Sequence, residues 1–362
     1  MTAIRKSLIC PCLILALSCV ASFPAWSGEE FYVNTMRGIG SISPKGQRAM
    51  AMGGGGRGLA DGVQSLGTNP AALGAFRGAA YDIGLGYDWL DDGADDAGQV
   101  TFRVGGAVNL DRIHPVSGPN QSVGALLQTQ GYSDAGGMGM KRNQTGVLMA
   151  YGLHLLDDLL GGVSVALYDG KWKSDPDPFT GAAFMDRTFT GGDFRLGAIY
   201  RWCDETTFGG TINYSTGSYK EKGGYAVGGD SGDFDRYGLG VGVAHQYSEY
   251  TLLLGDLWYE KIRTDIPRAL KEHDTSWGMS AGVEQQVIPE MLALRGGLYY
   301  DHTSYSSSGA TTPMVRNGSF SQGRFGITAG FGLKFQSFDI GYSLDVNSGG
   351  DVKNLLDVSA QW

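Results

Sequence analysis

Hydrophobic and polar residues alternate with a period of two over most of this chain, and the alternation is cleanest at its C terminus. Leu356, Val358, Ala360 and Trp362 share one face, while Asp357, Ser359 and Gln361 share the other. That period is the mark of a strand with one apolar and one wet side. From about residue 78 onward the chain resolves into fourteen such segments. They lie near 78–89, 99–110, 120–130, 143–154, 162–172, 187–202, 206–219, 234–247, 250–262, 275–287, 291–305, 319–335, 337–346 and 353–362. In the first, Tyr81, Ile83, Leu85, Tyr87 and Trp89 oppose Asp82, Gly84, Gly86 and Asp88. Aromatic residues near the ends of an apolar strand face are the girdles of a lipid-facing wall. The spacing therefore predicts an all-β fold, a transmembrane antiparallel β-barrel of about 14 strands.

Connection lengths point the same way. Long polar stretches such as 131–142, 173–186, 220–233 and 306–318 alternate with short ones such as 203–205, 248–249 and 288–290. One expected short turn, 111–119, is longer and carries Pro115 and Pro119. Long loops at one end and short turns at the other, with an even strand number, put both ends of the barrel on the periplasmic side of a Gram-negative outer membrane. No stretch beyond residue 27 has 18 consecutive apolar residues, so helical membrane spans are not expected.

At the N terminus, Arg5 and Lys6 precede an apolar run from Leu8 to Val20, and Ala25-Trp26-Ser27 is a small-x-small cleavage site. Residues 1–27 read as a secretory signal peptide cleaved after Ser27. Its removal leaves Cys203 as the single cysteine, so no intramolecular disulfide is expected. It also takes the formal charge from −9 to −11, because the segment carries two cations and no carboxylate. An acidic exported chain lacks the basic surface that nucleic acid requires. Glycine supplies 59 of the 362 residues, more than twice the ordinary share of about 7%, and these glycines sit within the strands.

Residues 28–77 precede the first strand and include Ala49-Met50-Ala51-Met52, then Gly53 to Gly56, then Asn69-Pro70-Ala71. A barrel of this size has a lumen that must be wet or plugged, and a glycine-rich, partly apolar segment suits a plug. The domain reading is thus signal peptide 1–27, plug or hatch 28–77 and barrel 78–362. The run from Ala49 through Leu59-Ala60-Asp61, followed by Leu66-Gly67-Thr68-Asn69-Pro70-Ala71-Ala72-Leu73, resembles the N-terminal region of the FadL/TodX-type outer-membrane transporters. The resemblance implies a fourteen-stranded barrel with an N-terminal hatch that moves hydrophobic molecules such as fatty acids or aromatic hydrocarbons. Shuttle barrels of secretion systems carry similar runs, so docking in a secretion or envelope-assembly system is the alternative function.

Candidate chemistry lies on the inward face. The register places Asp82, Arg103, Asn109, Arg195, Arg201, Asn213, Gln246, Asp256, Trp258, Glu284, Arg295, Asp301, Arg324, Lys334, Asp339 and Asp357 there. Either these form ion-pair ladders that hold the plug, or some line a substrate path, with Arg103, Arg195 or Arg295 meeting a carboxylate head. Leu252, Leu254 and Trp258 share the face of Asp256, as do Leu148 and Ile199 that of their strands' polar residues, which places apolar side chains inside. The row Gly238, Gly240, Gly242 leaves part of the inner wall bare for plug or ligand. Asn69-Pro70-Ala71 fixes a turn where the plug meets the wall, or acts in gating. Gly53, Gly55 and Gly58 match a dinucleotide spacing but follow no strand; the five histidines show no paired spacing for metal, and no Gly-x-Ser-x-Gly is present. No catalytic set, metal or cofactor is expected. The expected partners are membrane lipid and lipopolysaccharide, a hydrophobic small molecule and, under the alternative, a periplasmic or secretion partner.

Overall fold

A computed structural model describes residues 46–60, 62–91, 96–112, 120–134, 141–173, 186–221, 230–266, 270–308 and 318–362. Residues 1–45, which include the expected signal peptide, lie outside the described residues. Seven strands form the first half of the wall: β1 (Ala79–Asp91), β2 (Asp96–Asn109), β3 (Gln121–Asp134), β4 (Lys141–Leu156), β5 (Leu159–Lys173), β6 (Asp186–Cys203) and β7 (Thr206–Glu221). Seven more complete it: β8 (Asp230–Ser248), β9 (Thr251–Ile266), β10 (Leu270–Ile288), β11 (Leu292–Ser308), β12 (Gly318–Phe335), β13 (Phe338–Asn347) and β14 (Val352–Gln361). Each pairs antiparallel with its sequence neighbours, and β1 pairs with β14, so the sheet closes as a barrel. The closing seam is pinned at the chain end, where Trp362 N–H donates to Ala79 O at 3.0 Å and Ala79 N–H to Trp362 O at 2.9 Å.

The alternation is realised as expected. On β1, Ile83, Leu85, Tyr87 and Trp89 stand exposed on the outer surface, while Asp82, on the opposite register, is buried inside. On β8 the outward row Tyr237, Leu239, Val241 ends at Tyr247, all exposed. Two aromatic rows about ten residues apart bracket one hydrocarbon thickness for a tilted strand. Register irregularities occur at His154/Leu156, Arg201/Cys203, Gln246/Ser248 and Gln286/Ile288, all beside the short turns.

The strands outrun the hydrophobic pattern at their long-loop ends. β9 continues to Ile266 rather than stopping near 262, and β10 begins at Leu270 rather than 275. Asp233, which falls in the expected connection 220–233, therefore stands on β8. Above the hydrocarbon both faces of the sheet are wet, so the apolar alternation fades while the backbone ladder continues. Arg201, Gln246 and Lys334 have inward register but sit at the short-turn mouth, exposed.

Residues 46–60 and 62–76 lie inside the barrel. They contain a five-residue helix, α1 (Gln47–Ala51), and two 3-10 turns, Gly62–Ser65 and Pro70–Ala75. Wall glycines make room for them: a Cβ at Gly152 would strike Leu73, at Gly162 Pro70 and Ala71, at Gly282 and Gly297 Met52, and at Gly341 Gln47. The glycine enrichment is thus the imprint of this segment on the inner wall.

The outward register makes one prediction. Val241→Arg, near the middle of the apolar band, lowers the unfolding free energy in lipid vesicles by about 2–4 kcal/mol, whereas Tyr247→Arg at the edge costs about 0–1 kcal/mol. Denaturant titration of both variants checks the depth dependence.

Candidate functional site in the barrel lumen

The inner segment is held by charges at three places. At the first, Gly53, Gly54 and Gly56 take positive φ values of 79°, 76° and 148°, which curls the chain around one carboxylate. Gly56 N–H and Arg57 N–H both point at Asp256 of β9, and the Arg57 guanidinium lies 3.9 Å from it. Successive N–H groups converging on an anion form a nest. The Arg57 side chain then runs over Gly240 and Gly242 and ends 6.0 Å from the Trp258 ring. At the second place, Asp357 accepts from Gln47 N–H at 3.0 Å and from Arg103, which also reaches Asp82 at 3.1 Å. At the third, Glu284 receives Arg48 at 2.7 Å and Arg295 at 2.6 Å, while Arg295 also donates to Gln47 Oε1 at 2.9 Å.

Asn69-Pro70-Ala71 tie the segment to the opposite wall. Asn69 is fully buried and caps the second 3-10 turn, its Oδ1 accepting from Ala71 N–H at 3.1 Å. Its amide donates to Arg57 O at 2.7 Å and to Ala198 O of β6 at 3.2 Å, so one side chain links both limbs of the segment to the wall. Pro70 begins the turn, where its missing N–H leaves nothing unsatisfied. Arg195 donates to Gly67 O and lies 3.7 Å from Asp193.

Above the segment, on the side of β2 to β8, buried apolar side chains form one continuous column. It rises from Leu66, Leu73 and Phe76 through Leu126 and Leu148 to Tyr168, Trp172, Phe189, Tyr219 and Phe234 near the long-loop rim. Trp172 and Phe189 meet edge to face at 6.1 Å, and Arg142 and Arg187 lie over Trp172 and Tyr219 at 5.2 and 4.9 Å. Beneath the segment, on the side of β10 to β14 and β1, a vestibule of about 690 Å³ lies at the short-turn end. It is bordered by Arg48, Gln64, Glu284, Arg295, Lys334 and Asp339.

The sequence-predicted residues therefore divide by task. Arg103 and Arg195 are buried and engaged with carboxylates or the segment backbone. Arg295 is engaged with Glu284 and Gln47 but borders the vestibule. Leu252 and Leu254 pack on Met52, and Ile199 packs on Ala71 and Ala72. The rim aromatics were not singled out from sequence, although a signal was present. Trp172 stands between Lys171 and Lys173, and Phe234 between Asp233 and Asp235, which is an aromatic on the register that is otherwise wet. Among the described residues, no group of three or more His, Cys, Asp or Glu side chains is placed to hold a metal ion.

No protein-family profile matches the sequence, and no curated protein does either. Solved structures do match. The Ralstonia pickettii toluene transporter TbuX superposes with a TM-score of 0.60 at 16% identity, covering 89% of this chain and 99% of that one. A Pseudomonas aeruginosa FadL homologue gives 0.60 at 14%, covering 89% and 98%. The monoaromatic hydrocarbon channel CymD gives 0.60 at 13%, covering 89% and 98%. The chain has the fold of the FadL/TodX-type channels. At these identities the likeness is one of architecture, and it spans the FadL-type barrels over nearly their whole length.

In this FadL-type barrel Asp256 is the most heavily used anchor of the inner segment. Asp256→Asn removes its charge and is expected to loosen the segment by about 3–5 kcal/mol, the usual effect of breaking a buried ion pair. The variant should be cut by trypsin after Arg57 and should conduct ions in planar bilayers, with heat-modifiable migration of the barrel unchanged. Trypsin resistance equal to the parent would show that the carboxylate does not hold the segment.

Proposed function

We propose that this protein sits in the outer membrane with its short turns toward the periplasm and passes hydrophobic small molecules, fatty acids or aromatic hydrocarbons, inward through the lumen. The observation that carries this reading is the apolar column from Trp172 and Phe234 at the outer rim down to Leu66 and Leu73 of the inner segment. A pore for ions or sugars has no use for such a column, because buried rings repel water and offer polar solutes no partner. Residues 46–77 act as the plug, with Asn69-Pro70-Ala71 fixing it to the wall. The likeness to barrels described as toluene and monoaromatic hydrocarbon channels supports the same substrate class.

Arg103 and Arg195 serve the plug on this reading, and the column supplies the affinity. Trp172→Ala with Phe234→Ala is expected to weaken binding of labelled toluene and of labelled decanoate by at least tenfold, since each ring buries enough apolar area for about 1.5–3 kcal/mol. Equilibrium binding to the detergent-solubilised barrel checks it. A parent protein that binds neither ligand and is ion-tight in bilayers would overturn the transport reading in favour of docking.

A further inference from the structure

On the outer face of the wall, toward the long loops, a serine hydroxyl and an imidazole stand within hydrogen-bonding reach. His302 Nε2 lies 3.0 Å from Ser321 Oγ and 3.3 Å from Ser304 Oγ. The Trp277 ring lies beside the imidazole at 5.7 Å and also meets Tyr300 at 5.5 Å. These side chains point away from the lumen, because they share the registers of Met279, Leu298 and Phe325, which stand exposed. Ser321 and His302 are 19 residues apart in the chain, so only the pairing of β11 with β12 brings them together.

Their depth is that of lipid esters. Trp277 pairs with Tyr259, and both join Tyr214 and Tyr237 in the exposed aromatic belt of this end. Such belts lie at the level of the headgroups. The backbone beside the pair is open as well. From Gly318 to Gly323, β12 pairs with β11 on one side, while β13 ends at Asn347, opposite Gly326. Among the described strands none covers that free edge. Phe325 N–H donates to Ser348 Oγ at 3.1 Å, and Phe325 O accepts from Ser348 N–H at 2.8 Å. Odd-numbered residues of β12 therefore turn their backbone groups toward this edge, and the N–H groups of Ser321 and Gly323 point into it. A hydroxyl, a base and two backbone donors are the parts of an acyl-transfer site. The similar pair at the short-turn end, Thr206 Oγ1 and His245 Nδ1 at 2.9 Å, lies on strands paired on both sides and has no such donors beside it.

We propose that Ser321 and His302 form a catalytic dyad that cleaves fatty-acyl esters of the outer-leaflet lipid around the barrel. Ser321 Oγ adds to the ester carbonyl carbon while His302 Nε2 takes the hydroxyl proton. The carbonyl electron pair moves onto the oxygen, which the Ser321 and Gly323 N–H groups hold. Collapse breaks the ester C–O bond, and the departing alkoxide takes the proton from His302. Water then adds to the acyl-serine with His302 again as base, which releases the fatty acid and restores the hydroxyl. Trp277 and Ser304 keep the imidazole in place. The reaction is independent of passage through the lumen, which none of these side chains faces.

The test treats the full-length folded barrel with an alkyl fluorophosphonate and locates the adduct by mass spectrometry. Ser321 should be labelled, about a hundredfold more slowly in His302→Asn and not at all in Ser321→Ala. His245→Asn should label at the parent rate, and heat-modifiable migration shows that each variant has closed its wall. No labelling of Ser321 in the folded parent would overturn the dyad, as would equal rates in the parent and His302→Asn. A second arm counts fatty acid released from vesicles of phospholipid alone and from vesicles with a lipopolysaccharide outer leaflet. Release that Ser321→Ala abolishes supports the reaction, and the vesicle that yields it names the source of the ester. Release that persists in Ser321→Ala, or none from either vesicle, would overturn it.

Discussion

Inside hydrocarbon a backbone N–H or C=O has no water to turn to, and leaving one unpaired costs several kcal/mol. A sheet satisfies that condition only if it has no edge. The bonds between Ala79 and Trp362 are therefore the ones on which the rest depends, because they join the first strand to the last and remove both edges at once. Closure with fourteen strands sets the width, and the width leaves a lumen that wall side chains alone do not fill. The inner segment follows from that surplus space, and the glycines of the inner wall follow from the segment.

The means of holding the segment bear on its behaviour. Burying Asp82, Arg103 and Asp357 together removes three charges from water, and such clusters contribute little net stability while penalising misplacement heavily. Their effect is to fix register: Gln47 N–H has one place to go, and so have Gly56 N–H and Arg57 N–H. Apolar contacts such as Leu252 and Leu254 on Met52 supply adhesion without direction. A segment directed by charge at a few points and adhering by small apolar patches elsewhere can be exact in position without being immovable in every part.

Much of this was legible in the sequence, for reasons that can be traced residue by residue. A lipid-facing wall imposes period two on every strand, so rows such as Tyr81 to Trp89 mark both the strand and its sidedness. Gly238, Gly240 and Gly242 announced a close approach, and the occupants are side chains, those of Asn213, Arg57 and Asp256. What the pattern missed lies where the membrane stops imposing it. Beyond the hydrocarbon the strands of β9 and β10 continue on backbone pairing alone, which no side-chain period records. The partners of Arg103 were also hidden, since Asp82, Arg103 and Asp357 are brought together only by the closure of β1 on β14 and β2.

The column and the vestibule occupy different arcs of the wall, β2 to β8 for one and β10 to β14 with β1 for the other. A molecule passing between them must move across the barrel as well as along it. A rigid solute with uniform chemistry gains nothing from that offset. A solute with one apolar and one charged end would meet a matching surface on each arc, Leu126 and Leu148 on one, Arg48 and Arg295 on the other. The inner segment lies between the two arcs. Separation of apolar and charged surfaces within one lumen gives the barrel a direction that its symmetric wall does not possess.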